Sequence, residues 1–271
     1  MLLERRYHLL NIVVCIKRVP NIGEVQITVA SDNRNINSDK LVFEINEADN
    51  YALEAALQLK EKFGGTVTAI TVGNEASNEQ LRMCMAKGAD AAIRLDDEKF
   101  KDFDGYATAR VLCAAIKELK PDLILTGCMS SDNAYAQVGV QLGEMLNLPH
   151  ATLVTDINIG DSIVQVRSEL ENGLGMIIEM VMPAVISVQT GINEPRYASF
   201  RGIREAVKRE IKVMNLADLA QLDSSLSSIT SRVKIDKIFI PPVEKKAQYI
   251  SGSSDEKANE LARILKEKGL I

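Results

Sequence analysis

The chain has no tryptophan, and aromatic residues make up only 4% of its 271 positions. Stacking platforms for bases are therefore scarce, and a net charge of −5 offers no general attraction for a phosphate backbone. The two histidines, His8 and His150, lie far apart, so a histidine metal site or a Ser/His hydrolase finds little support. No apolar stretch approaches the roughly 20 residues that a membrane-spanning helix needs. We expect neither a nucleic-acid partner nor a membrane span.

Cysteine is also sparse. Cys15, Cys84, Cys113 and Cys128 form no C-x-x-C pair, and each lies in an apolar or helical context. That pattern is typical of buried free thiols in a reducing compartment. Charges interrupt the apolar residues at positions 1–10, which therefore lack the apolar run of about 7–15 residues found in signal peptides. We expect a cytoplasmic protein with a short extension before its first strand.

The remaining composition, 46% hydrophobic and 25% charged, is that of a globular protein. Up to about Pro149, short apolar runs alternate with helical patterns, and Gly64-Gly65 and Gly88 mark helix ends. This alternation predicts right-handed βαβ units and a parallel sheet. The predicted strands are 11–17, 66–72, 91–95 and 123–126, with short edge strands at 25–30 and 41–43. The predicted helices are 47–63, 78–87, 106–120 and 134–146.

Beyond Pro149 the pattern changes. A hairpin is predicted at 163–167 and 176–181, followed by a buried strand at 184–188. Residues 216–248 show little periodicity and indicate an extended arm. Residues 254–268 are predicted to form a capped amphipathic helix. We therefore predict an α/β domain over residues 1–215, and an arm and helix over 216–271 that pack on a partner subunit.

The loop after the predicted strand at 123–126 is the most informative feature. A strand, a small-residue loop and a helix present backbone N–H groups and a helix N-terminus to a phosphate. The loop is neither a G-x-G-x-x-G fingerprint nor a Walker motif, so an ordinary strand-to-helix connection is the alternative. The candidate nucleotide-binding residues are Gly127, Cys128, Met129, Ser130, Ser131, Asp132, Asn133, Ala134, Tyr135, Ala136, Gln137 and Val138.

Three other polar or small segments, at 15–20, 46–49 and 72–74, stand at predicted strand ends or at the start of the first helix. In an open α/β sheet one ligand can bridge such ends, so we expect a common site. None of these segments carries a nucleophile beside a base, which favours binding over group-transfer catalysis. Helix capping is the alternative role for Asn46 and Asp49. The candidates here are Cys15, Asn46, Glu47, Ala48, Asp49 and Val72.

Four pieces of sequence resemble the β subunit of electron-transfer flavoprotein. They are V-V-C-I-K-R-V-P (13–20), N-E-A-D-N-Y-A-L-E-A-A (46–56), T-G-C-M-S-S-D-N-A-Y-A-Q-V-G (126–139) and P-A-V-I-S-V-Q-T-G-I-N-E-P-R-Y-A-S (183–199). The resemblance implies an adenine nucleotide α-hydrolase-like domain with a C-terminal arm and helix. It also implies an α subunit with its own FAD, an adenosine nucleotide in this chain, and a flavin-dependent dehydrogenase as partner.

Two subclasses of that family differ in this nucleotide. One holds structural AMP; the other, electron-bifurcating class holds a second FAD, with NADH as electron donor or NAD as acceptor. Glu24-Val25 after V-P, Asp49, and A-Q-V-G at 136–139 resemble the second class, because the AMP class typically has N-Q-T-G there. This class implies FAD, and it allows ferredoxin or flavodoxin as a further partner. The alternatives are the AMP class and a stand-alone nucleotide-binding module of universal-stress type.

The segment at 193–212 mixes six basic with three acidic residues, which is typical of a solvated helix face. The resemblance implies a docking role instead, with Phe200 as an exposed anchor. Phe200-Arg201 stands where the family commonly has Leu-Pro, and Asn46-Glu47 replaces Asn-Pro. The family's R-x-x-D-G-G signature is also irregular at 167–173. The candidate docking residues are Arg196, Tyr197, Phe200 and Arg201.

Overall fold

A computed structural model of the chain describes residues 9–23, 27–38, 41–242 and 247–271. The chain divides into a larger unit, within Met1–Ile27 and Asn37–Asp236, and a smaller unit, Thr28–Ile36 with Lys237–Ile271. The strands of the larger unit are β1 Leu10–Cys15, β2 Arg18–Pro20, β3 Phe43–Ile45, β4 Gly65–Val72, β5 Ala91–Leu95, β6 Leu123–Gly127, β7 His150–Ile159, β8 Ile163–Glu169, β9 Gly175–Val181, β10 Ala184–Val188 and β11 Lys212–Met214. Its helices are α1 Glu47–Phe63, α2 Asn78–Lys87, α3 Gly105–Leu119, α4 Val138–Leu146, α5 Phe200–Lys208 and α6 Leu216–Leu222.

Nine strands of the described chain form one sheet in the order β11-β5-β4-β1-β6-β10-β7-β8-β9. The strands from β11 to β7 run parallel, and β8 and β9 continue the sheet as an antiparallel extension. Strands β2 and β3 form a separate antiparallel pair. The predicted α/β class and its mostly parallel sheet are confirmed.

The central strand β1 contributes to a core on each face of the sheet. Ile12 and Val14 point into a core shared with α1 and α2, and Val13 and Cys15 into a core shared with α3. This explains why the run is apolar at almost every position rather than at alternate ones. Helices cover both faces of the sheet, so the larger unit has three layers: helices, sheet and helices.

The order of the strands reverses beside β1. From β1 the chain proceeds to β4 and β5 on one side, and it then returns to β6 on the other. Such a reversal opens a crevice at the carboxyl ends of the two strands, because their connections leave in opposite directions. The loops that follow β1 and β6 therefore flank the place where an open α/β sheet binds a ligand.

Some predicted boundaries differ from the structure. Helix α4 begins at Val138 rather than Ala134, because Ala134 (φ 54°) and Ala136 (φ 51°) adopt left-handed backbone conformations that a helix does not contain.

Among the strands, β7 was not predicted. The edge strand expected at 25–30 lies partly outside the described residues, and within them Val29 forms a single bridge to Ile36. The strand expected at 41–43 is Phe43–Ile45. Of the N-terminal extension predicted at 1–10, residues 1–8 also lie outside the described residues, and Leu10 belongs to β1.

The interpretation of 216–248 as one extended arm is wrong for its first part. Asn215 and Asp218 form a capping box that starts α6. Leu216, Leu219 and Leu226 are buried in the same core as α3. The spacing was missed because α6 has only seven residues, which is too short for a clear period. The units consequently divide after Asp236, whereas the predicted boundary follows residue 215.

The smaller unit contains the predicted terminal helix, α7 Ser254–Glu267. Ser253 and Glu256 form a capping box at its start. No residue of α7 is buried, and Leu261 at its apolar face is half exposed. Across the described residues of the whole chain, none of the helices combines the length and apolarity needed to cross a membrane.

Two truncations test where the larger unit ends. A chain that ends after Asp236 should stay folded, whereas one that ends after Asn215 also loses the buried Leu216, Leu219 and Leu226. Because each lost buried leucine costs about 2–5 kcal/mol, the shorter chain should have the lower free energy of unfolding in urea. Equal stability of the two chains would contradict this packing.

Candidate functional site

Three segments meet at the crevice between β1 and β6. They are residues 16–18 after β1, residues 46–49 at the start of α1, and the loop at 128–137 after β6. All three were predicted from sequence as parts of one site. Side chains at the start of α1 bond backbone groups of the two loops, and the side chain of Lys17 bonds Ser130 and Asp132.

Asp49 joins the two sides of the crevice. Its Oδ2 accepts the backbone N–H of Lys17 at 2.8 Å, and its Oδ1 accepts that of Gly127 at 2.9 Å. The residue is only 7% exposed. Burial raises the pKa of Asp49 to about 6, against the opposing effect of the two backbone N–H groups. One buried carboxylate thus fixes the ends of both central strands relative to α1.

Gly127 packs directly against this first turn. A Cβ at position 127 would lie 2.4 Å from Asp49 Oδ1 and 2.8 Å from the Cβ of Ala48. Those distances are far inside van der Waals contact, so only glycine fits without displacing α1. Packing on α1 thus requires glycine at this position independently of any ligand.

Asn46 braces the loop after β6. Its Nδ2 donates to the carbonyl of Met129 at 2.9 Å, and its Oδ1 accepts the N–H of Ser131 at 3.0 Å. The residue occupies the N-cap position of α1, yet its side chain makes no capping bond. The capping alternative is therefore wrong for Asn46, whose side chain instead sets the path of the loop.

The tip of the loop leaves backbone donors exposed. The N–H of Ala134 bonds the carbonyl of Ser130, which closes a turn. Within the described chain no acceptor is found for the N–H groups of Tyr135, Ala136 and Gln137. Residues 131–137 are exposed, Ala134 and Ala136 are left-handed, and α4 starts directly afterwards, an arrangement that leaves these N–H groups available to an anion. The alanine side chains leave room for a ligand.

The other predicted residues lie around this centre. Cys15 is buried, burial raises the pKa of its thiol, and only its backbone can face a ligand. Val72 ends β4, the strand beside β1, and is partly exposed. Cys128 donates its thiol to Gln189 Oε1 at 3.3 Å. Glu47 is exposed and Ala48 buried.

The predicted docking segment is fixed to α1 through Arg196. Its guanidinium binds the buried Glu54 at 2.8 and 2.9 Å and reaches Glu61 at 2.5 Å. Asn193 donates to the carbonyl of Tyr51 on the same helix. Arg196 therefore positions the segment, and a direct role of its partly exposed side chain in docking stays a prediction. Arg201 forms an exposed ion pair with Glu205, four residues away.

Helix α5 presents an apolar stripe to solvent. Phe200 is 91% exposed, and Ile203 and Val207 are exposed on the same side at spacings of three and seven residues. The opposite side packs closely on α2, since a Cβ on Gly202 would lie 2.3 Å from the carbonyl of Ala86. Tyr197 before the helix is also exposed. Sequence reasoning missed Val207, although its spacing from Phe200 is visible in the sequence.

Comparison with known proteins gives the family. The family model described as "Electron transfer flavoprotein domain" matches residues 35–219. An electron transfer flavoprotein subunit beta from Methylophilus methylotrophus is 34% identical over 262 residues, which cover 95% of this chain and 98% of that protein. The Caffeyl-CoA reductase-Etf complex subunit CarD of Acetobacterium woodii is 35% identical over 265 residues, 97% of this chain and all of that protein. The Acryloyl-CoA reductase electron transfer subunit gamma of Anaerotignum propionicum is 32% identical over 272 residues, with the same coverage.

The chain therefore belongs to the electron-transfer flavoprotein family, as a β subunit. The family resemblance, and with it the adenine nucleotide α-hydrolase-like type of the α/β domain, is confirmed. One of these relatives is named as a flavoprotein subunit beta and the other two as subunits connected with CoA reductases, and their identities to this chain are nearly equal. Degree of identity alone thus does not separate the subclasses.

Titration of Asp49 gives a test of the crevice. Its pKa in the folded chain, about 6, lies above the ordinary 3.8. Between these values the folded state keeps a proton that the unfolded state has lost, so stability falls as pH rises from about 4 to 6. The free energy of unfolding of the wild type should lose about 3 kcal/mol relative to Asp49→Asn across this range. A difference that stays constant with pH in urea titrations would contradict this account of Asp49.

Proposed function

We propose that this β subunit binds FAD in the crevice between β1 and β6, and that it passes electrons between NADH, the flavin of the α subunit and a flavin-dependent dehydrogenase. Flavin-based electron bifurcation is the mode that we favour. The observation that carries the proposal is the loop at 128–137, whose exposed N–H groups at 135–137 find no acceptor in the described chain and lie at the topological switch point of the sheet.

The residues present suit an adenine dinucleotide. The N–H groups of Tyr135, Ala136 and Gln137, with the start of the nine-residue helix α4, would hold the pyrophosphate. The ends of β1 and β4, together with the first turn of α1, would enclose the adenosine. When bound, FAD supplies the redox chemistry, and the protein sets its position, polarity and access to solvent.

The end of the loop supports FAD over AMP. Val138 starts α4 without a hydroxyl group that could donate to a terminal phosphate, whereas the AMP class typically carries threonine there. AMP with a structural role is the second candidate, because the identities to the relatives do not separate the two subclasses. A stand-alone module is disfavoured by family membership. In our proposal the α subunit covers the exposed apolar face of α7.

Counting nucleotides decides between the two candidates. The chain, co-purified with its α subunit, should release two FAD per heterodimer and no AMP, and NADH should bleach the flavin absorbance. One FAD together with one AMP, released on denaturation and separated by chromatography, would establish the second candidate and refute bifurcation. The absence of any adenine nucleotide beyond the FAD of the α subunit would refute the proposed site itself.

The stripe on α5 is proposed to dock the dehydrogenase. Phe200→Ala should raise the KM for the partner dehydrogenase about tenfold or more, since truncating a central aromatic anchor costs about 2 kcal/mol or more. Because Phe200 is exposed, its loss should change the free energy of unfolding by less than about 0.5 kcal/mol.

Phe100→Ala is the matched control, because Phe100 is buried in the core beside α3. That variant should lose about 3–5 kcal/mol of stability. Equal losses of stability in the two variants would make Phe200 a packing residue. An unchanged KM in Phe200→Ala, measured by steady-state electron transfer, would remove it from the docking surface.

A further inference from the structure

Lys17 links the end of β1 to the loop after β6 through its side chain. Its Nζ lies 2.6 Å from Asp132 Oδ1 and 3.2 Å from Ser130 Oγ. Its backbone N–H is fixed by Asp49, as described above. The backbone of Lys17, two residues after β1, is therefore anchored, and its side chain carries the ammonium group to the loop.

The loop itself carries a negative charge and no positive charge. Residues 127–138 contain one ionisable carboxylate, Asp132, and no lysine or arginine. Burial raises the pKa of Asp132, but the hydrogen bond and charge of Lys17 outweigh it and leave that pKa below its ordinary value. Asp132 is thus an anion at neutral pH. A phosphate brought to the neighbouring N–H groups would be repelled by this anion unless a cation balanced both.

The ion pair is suited to exchange. The side chains of Lys17 and Asp132 are 41% and 23% exposed, and a pair open to water contributes only about 0–1 kcal/mol. A phosphate oxygen could therefore replace the carboxylate at little cost. The adjacent cation is otherwise engaged, since the guanidinium of Arg18 lies over the ring of Phe43, 3.4 Å from its centroid.

We propose that Lys17 is a phosphate-binding residue of this subunit, and that Asp132 is the partner of its ammonium group only while the site is empty. The inference rests on the proposed nucleotide site and adds a residue to it. It assigns the two members of one ion pair opposite effects on affinity: Lys17 favours a phosphate, and Asp132 competes with it.

Three variants of the full-length chain, freed of nucleotide and titrated with AMP in a calorimeter, test this assignment. Lys17→Met should weaken AMP binding about tenfold to a hundredfold, the scale of a lost charge-assisted hydrogen bond. Lys17→Arg should stay within about threefold of wild type, because a charge-assisted bond remains possible. Asp132→Asn should bind AMP as tightly as wild type or more tightly. Asparagine keeps the oxygen that accepts the N–H of Asn133, so the turn is preserved.

The direction in which Asp132→Asn changes AMP affinity shows whether Lys17 binds the phosphate or only stabilises the loop. If the pair only stabilised the loop, Lys17→Met and Asp132→Asn would weaken AMP binding alike, and that result would overturn the proposal. Binding by Lys17→Met within threefold of wild type would overturn it as well. As a second readout, the salt dependence of AMP affinity should be weaker in Lys17→Met than in wild type. A wild-type chain that binds neither AMP nor FAD would instead refute the proposed site.

Discussion

The arrangement of the site depends on one buried carboxylate. Asp49 accepts a backbone N–H from the end of β1 and another from the end of β6, the two strands between which the sheet reverses its order. Burying a charge in this way is costly unless hydrogen bonds compensate it, and the two N–H groups do so in part. Gly127 and Asn46 follow from the same constraint. The first permits the close approach of α1, and the second then ties Met129 and Ser131 to the helix. The exposed donors at 135–137 are held in place from this anchored stem.

The same helix supports the proposed docking surface. Glu54 and Glu61 of α1 bind Arg196, which places the segment leading into α5. Arg82 of α2 donates to the carbonyls of Ala206 and Val207 and so caps the other end of α5. A subunit that passes electrons from a bound cofactor to a partner needs both surfaces on rigid elements. Here the same helix contacts both, the site through Asp49 and the docking segment through Glu54 and Glu61, which fixes their relation without a dedicated linker.

Much of this fold could be predicted from the sequence, because its strong signals are local. Glu47–Phe63, Asn78–Lys87 and Ala184–Val188 match their predicted bounds, being set by apolar spacing and terminating glycines or prolines. The start of α4 could not be predicted. Ala134 and Ala136 have left-handed conformations that the sequence pattern does not signal, and these conformations keep them out of the helix. The residue types of the site were visible at strand ends, but their pairing was not. Asp49 binds groups 32 and 78 residues away, and Arg196 binds Glu54 across 142 residues. No spacing rule reports contacts at such separations.

Amide hydrogen exchange tests the central claim most directly, namely that α1 anchors a loop whose free N–H groups receive a nucleotide. In the nucleotide-free chain the amides of Lys17, Gly127 and Ser131 should exchange slowly, because each donates to the side chain of Asp49 or of the N-cap residue Asn46. Those of Tyr135, Ala136 and Gln137 should exchange fast, and they should become protected when FAD or AMP is added. Protection by a bound nucleotide that appears elsewhere while 135–137 still exchange fast would contradict the account.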